Sequence, residues 1–100
     1  IPQGPQNLSG NWEIFLFLIV MFYLYILKSE KINSYYVGVS NDVEERLKRH
    51  LSNHNGYTAK AKDWIIAYTE SFETKSEALK REKQIKNWKS KLMIQKLIGS

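Results

Sequence analysis

Residues 22–40 read FYLYILKSEKINSYYVGVS, and this stretch decides the architecture. FYLYILK (22–28) and YYVGVS (35–40) are rich in aromatic and β-branched residues, the composition of strands. Between them lies SEKINS (29–34), polar, with Asn33, and of a length suited to a hairpin loop. Alternation places Tyr23 and Tyr25 on one face of the first strand, and Tyr35 and Tyr36 on opposite faces of the second. Gly38 stands inside a strand otherwise rich in aromatics, where it permits close approach by another group.

Toward the C-terminus, Ser40, Asn41 and Asp42 offer capping side chains, with Asn41 and Glu44 at capping-box spacing. Val43, Leu47 and Leu51 recur at i, i+4 and i+8, which predicts a charged helix with a narrow apolar stripe, ended by Asn53-His54-Asn55-Gly56. Residues 57–63 (YTAKAKD) read as a basic loop, and residues 64–72 (WIIAYTESF) return to strand composition. Thr74 and Glu77 then open a helix reaching about Asn87, with Ala78, Leu79, Ile85 and Trp88 as its expected buried face. Ser90 is the expected cap of a last helix whose apolar face is Leu92, Met93, Leu97 and Ile98. The order β-β-α-β-α-α predicts a small α/β (α+β) layer sandwich, a three-stranded, mainly antiparallel sheet covered by helices.

Toward the N-terminus the pattern changes. Residues 1–12 hold two Pro, two Gly and no charge, a composition for irregular structure. Ile14 to Leu27 is an uncharged apolar run of fourteen residues, short of the about 17–25 that a membrane span needs, and no basic region precedes it as in a signal peptide. At Met21 the run turns from unpatterned to strand-like. Residues 1–20 are therefore expected to be an extension, irregular or outside the domain, and residues 21–100 the domain itself, without stable membrane insertion.

Charge narrows the function. The 100 residues carry fifteen Lys+Arg and ten Asp+Glu, net +5. Residues 1–75 are balanced at eight of each sign, so residues 76–100 hold the whole excess. Clustering of this kind points to a polyanion, nucleic acid before anionic lipid, although a solvated lysine-rich helix is the commoner origin of such a run. With no cysteine, disulfides, thiolate metal sites and cysteine nucleophiles are excluded, which fits a reducing, cytoplasmic setting.

Three groups break the expected patterns. Glu82 lies on the apolar stripe of its helix, three residues after Leu79 and three before Ile85, where a charge needs a partner or a function. Pairing with Lys86 at i, i+4 accounts for it equally well. Arg46 and His50 sit one turn apart at the border of the first helix's stripe. The arginine fork suits phosphate oxygens, and His50 suits a base, a phosphate donor or a metal ligand. The strand tyrosines are the third group, although cross-strand aromatic pairs also stabilise hairpins without chemistry. Together these are parts for phosphodiester hydrolysis: a carboxylate for a hard cation, an arginine for charge building at phosphorus, and a phenol, alone or with the imidazole, to activate water. A phenol with pKa near 10 would need depression by the metal or by Arg46 to act at neutral pH.

The strings YLYIL (23–27), YYVG (35–38), SNDVEERLKRH (40–50) and SEALKREKQIK (76–86) resemble, in order and spacing, the GIY-YIG nuclease domain. The likeness is to its small single-domain bacterial members and to the N-terminal nuclease domain of the excision-repair protein UvrC, and it spans roughly residues 21–90. Tyr23-Leu24-Tyr25 stands for Gly-Ile-Tyr and Tyr36-Val37-Gly38 for Tyr-Ile-Gly, while the lysine that follows in UvrC-type domains is Val39. The resemblance implies Tyr25, Tyr36, Arg46, His50 and Glu82 as catalytic residues, Glu82 as the metal ligand and Gly38 as the motif glycine. It implies a DNA endonuclease, dependent on Mg²⁺ with Mn²⁺ as an alternative, working in DNA repair or recombination. Lys80, Lys83, Lys86 and Lys89 would grip the phosphate backbone, which carries no sequence information. Structure-directed or weakly sequence-specific cleavage is therefore expected, with a partner protein as one source of specificity. The alternatives are a non-catalytic nucleic-acid-binding module of the same fold and, more weakly, a membrane-surface protein.

Overall fold

A computed structural model of the chain describes residues 20–99. The extension expected over residues 1–20 therefore lies outside the described residues, Val20 excepted. The elements run β1 (Phe22–Ser29), β2 (Ser34–Ser40), α1 (Val43–Ser52), a 3₁₀ turn (Tyr57–Lys60), β3 (Ile65–Phe72), α2 (Lys75–Trp88) and α3 (Lys91–Gly99). This is the expected β-β-α-β-α-α order. The sheet is antiparallel throughout, in the order β2-β1-β3.

β1 is the middle strand, and that explains its composition. A strand covered on both faces loses the apolar–polar alternation of a one-sided sheet, so Leu24, Tyr25, Ile26 and Leu27 are all buried in succession. Leu24 and Ile26 pack with Val37 and with Ile85 of α2, and α3 adds Ile94, Leu97 and Ile98. Tyr25 and Leu27 face the other way, against Trp64, Ala61 and the α1 stripe of Val43, Leu47 and Leu51. Each fully buried aliphatic side chain contributes about 1.5–3 kcal/mol relative to exposure. The sheet thus separates two helical layers, α1 with the 3₁₀ turn on one face and α2 with α3 on the other.

The connections follow from local chemistry. The hairpin turns at Asn33, which adopts the left-handed region at φ 50° that Asn tolerates, and closes with Asn33 N–H donating to the Glu30 carbonyl at 3.2 Å. In β3 the pairing slips between Ile26/Tyr68 and Leu27/Ile66, leaving Ala67 as an extra residue. That bulge turns Ile66 toward α1 while Tyr68 and Phe72 face α2.

Several sequence expectations are corrected here. The cap of α1 is Asp42, whose carboxylate accepts from Glu45 N–H at 3.1 Å, not Asn41. Ser40 holds Asp42 in place by accepting from its N–H, and Glu45 is engaged by Arg49. Leu79 is 43% exposed instead of buried, because the inward stripe of α2 runs Ala78, Glu82, Ile85. On α3, Leu92 and Met93 are exposed and Ile94 packs in their place. The capping expectations at Thr74 and Ser90 hold, with Thr74 accepting from Glu77 N–H and Ser90 from Met93 N–H.

Candidate active site

Tyr25 sits opposite Gly38 across the β1–β2 ladder. Its ring folds over the glycine, since a Cβ there would stand 2.5 Å from the Tyr25 hydroxyl and 2.6 Å from the carbon bearing it. The group whose approach Gly38 permits is therefore the phenol of Tyr25. One strand over, Tyr36 lies beside it, ring centroids 6.3 Å apart.

His50, in the last turn of α1, completes the cluster. It is buried, with its ring 4.6 Å from that of Tyr36. Its Nε2 is 2.9 Å from the Tyr25 hydroxyl, and its Nδ1 is 2.9 Å from Thr58 Oγ1. Thr58 belongs to the 3₁₀ turn inside the segment expected to be a basic loop, and it is 2% exposed. The Trp64 indole fixes that turn by donating to the Thr58 carbonyl at 2.9 Å. Thr58 and Trp64 were missed in the sequence, where neither stands in a periodic pattern. The one available signal was Tyr57, a large aromatic in a polar loop.

Arg46 stands one turn before His50. Its Nε is buried and has no hydrogen-bond partner among the described residues, a donor left for an anionic oxygen. It also lines a recess with Val39, Ser40, Asn41 and Lys75. Burial, reinforced by Tyr36, pushes the Tyr25 phenol up to about 12 against the downward pull of Arg46. The depression of a phenol by Arg46 considered from sequence does not occur at Tyr25. His50 moves the other way: burial and the Arg46 charge hold it below the usual 6.5, so it is neutral at neutral pH. Arginine only donates, so the Tyr25 proton is directed to His50 Nε2. We accordingly assign the tautomer with the proton on Nδ1, donated to Thr58.

Glu82 occupies the other helical layer. Its carboxylate is 2.9 Å from Lys86 Nζ and its side chain 20% exposed, so the i, i+4 pairing weighed from sequence is present. No hydrogen bond or ion pair joins it to the four residues above among the described residues, although its charge contributes to raising Tyr25. Of the four lysines, Lys86 and Lys89 border a groove containing Tyr36. Lys80 borders a different recess, with Phe72 and Arg81, and Lys83 is exposed. Arg81 is tied to Glu70 through two contacts of 3.0 Å and is not free for a polyanion.

Fold and cluster together define a class of protein: a small α+β domain with a Tyr–His pair and an arginine gathered on one face of a three-stranded sheet. The family model of the GIY-YIG catalytic domain matches residues 21–97, and the chain belongs to the GIY-YIG nuclease family. It is 42% identical over 67 residues to a UPF0213 protein of Staphylococcus saprophyticus, covering 66% of this chain and 80% of the relative. A UPF0213 protein of Staphylococcus haemolyticus is 39% identical over the same shares. The solution NMR structure of the UPF0213 protein BH0048 from Bacillus halodurans superposes with a TM-score of 0.51 at 30% identity, over 79% of this chain and 83% of that one.

GIY-YIG nucleases use divalent metal ions. Among the described residues no group of three or more His, Cys, Asp or Glu could hold a metal ion; a lone carboxylate is a donor for a hard cation that keeps most of its waters. No helix among the described residues is long and apolar enough to cross a membrane.

Proposed function

We propose that this domain is a divalent-metal-dependent DNA endonuclease, structure-directed or weakly sequence-specific, acting in DNA repair or recombination. The observation that carries the reading is the hydrogen-bonded chain Tyr25–His50–Thr58 beside the unpartnered Nε of Arg46. Hydrolysis needs a group that takes a proton from water at neutral pH. A phenol at about 12 does not supply one alone, but a phenol donating to a neutral imidazole does. The water proton passes to the Tyr25 oxygen as the Tyr25 proton passes to His50 Nε2. The resulting hydroxide forms the new P–O bond, the bond to the leaving oxygen breaks, and that oxygen takes a proton from solvent. Arg46 donates to the phosphoryl oxygens where charge accumulates. Glu82 would hold the cation, Mg²⁺ in this reading, which supplies Lewis-acid polarisation of the phosphate. Thr58 keeps Nε2 as the acceptor by accepting a hydrogen bond from Nδ1–H.

The test is plasmid nicking with and without Mg²⁺. Arg46→Ala and Glu82→Ala should each lower the rate about 10²–10³-fold with unfolding midpoints preserved. Thr58→Val should lower it on the order of tenfold. The wild-type rate should fall in acid, at a pH below the 6.5 of an ordinary imidazole, as His50 takes up its proton. Full activity in both alanine variants would refute the proposal. The Glu82–Lys86 pair favours a second reading, a non-catalytic nucleic-acid-binding module, because it occupies the carboxylate. Its signature is salt-sensitive DNA binding with no cleavage in Mg²⁺ or Mn²⁺.

A further inference from the structure

Tyr57 has no part in the chemistry above, and its placement calls for one. It is 42% exposed, a large ring left half in water. Its position is nevertheless fixed, stacked on Tyr36 at 6.4 Å with 24° between the rings and packed against Trp64 at 6.1 Å. It lines the groove that runs from Tyr36 to Ile85, Lys86 and Lys89. An aromatic ring already held in place loses little freedom when a flat group stacks on it.

We propose that this groove binds an unpaired DNA nucleotide, its base stacked on Tyr57 and its phosphates beside Lys60 and Lys89, with Lys86 in the same groove paired to Glu82. The inference rests on the nuclease reading for the identity of the polymer and extends it to the class of substrate. The charge complements a phosphodiester chain, and the ring complements a nucleobase. Lys60 Nζ lies 4.9 Å from the centre of the Tyr57 ring, but this lysine is exposed, and a cation over an exposed ring is worth less than base–aromatic stacking. The base therefore displaces Lys60, leaving it beside the phosphate. Bases inside a continuous duplex are stacked on one another and cannot reach Tyr57. Lysine–phosphate contacts serve single strands and duplexes alike, so discrimination belongs to the ring. Single-stranded, flapped or gapped DNA is the substrate class that results.

The experiment is fluorescence anisotropy in EDTA at one fixed salt, comparing a labelled oligo-dT strand with a blunt duplex of equal length. Tyr57→Ala should lower the ratio of single-strand to duplex affinity about tenfold or more, and Tyr57→Phe, which keeps the stacking face, should restore it. Tyr57→Leu fills the space against Trp64 without an aromatic face, and it carries the test if the alanine variant unfolds. An unchanged ratio, or equal loss on both probes, overturns the proposal. Because the readout is binding without metal, it stands whether or not the protein cleaves. An unchanged ratio beside normal wild-type nicking would remove the subsite and leave the nuclease reading intact.

Discussion

Tyr25 and Gly38 are matched in volume, and the match fixes the hydroxyl that meets His50. Gly38→Ala puts a methyl group within the Tyr25 ring, which is 1% exposed and has nowhere to retreat. We expect a loss of about 1–3 kcal/mol in denaturant unfolding and a displaced His50 ring signal in NMR; wild-type stability would mean the ring has room to move. At this scale the sequence showed which residues broke the pattern. It did not show that His50 is buried, because an Arg and a His on the border of an apolar stripe look like a solvated edge. Burial comes from the 3₁₀ turn that brings Thr58 over the imidazole, a contact between segments with no periodic signature.

At the scale of elements, α2 carries two kinds of charge. Glu82 lies on the inward stripe with Ala78 and Ile85. Arg81 reaches Glu70 of β3 with both side chains 23% exposed and stacks over Trp88 at 5.7 Å. Burial alone would raise the Glu70 carboxyl, but hydrogen bonds from Arg81 and Tyr68 hold it below its usual range. Glu70→Ala removes the clasp between β3 and α2 and should cost about 1–2 kcal/mol in thermal or denaturant unfolding; no loss would show that the pair is not coupled to folding. The helices were legible because capping residues and apolar stripes mark them, and the strands because of their aromatic and β-branched composition. The inward faces of α2 and α3 were less so, since Leu79, Leu92 and Met93 suit either face and the neighbouring sheet chooses.

For the whole molecule, burial bounds stability at both ends of the pH scale. His50 has a folded pKa below its unfolded 6.5, and Glu70 one below 4.5, so each stabilises fully above those values and its share is lost as pH falls through them. Tyr25 has a folded pKa of about 12 against 10; its protonated form is favoured in the fold, so stability is lost as pH rises from 10 toward 12. The melting temperature should be level near neutrality, fall below about 6.5 and above about 10, and Tyr25→Phe should reduce the alkaline fall. An alkaline limb of unchanged depth in that variant would contradict the assignment. The sequence by itself determined the order of elements, the strand composition of residues 22–28 and the basic C-terminal quarter, because these are properties of neighbouring residues along the chain. Only the tertiary structure decided which charges are free and which are tied, that the Tyr25 hydroxyl meets His50 Nε2, and that Thr58 and Tyr57 adjoin the site. Those depend on burial and on contacts between distant segments, which no local pattern encodes.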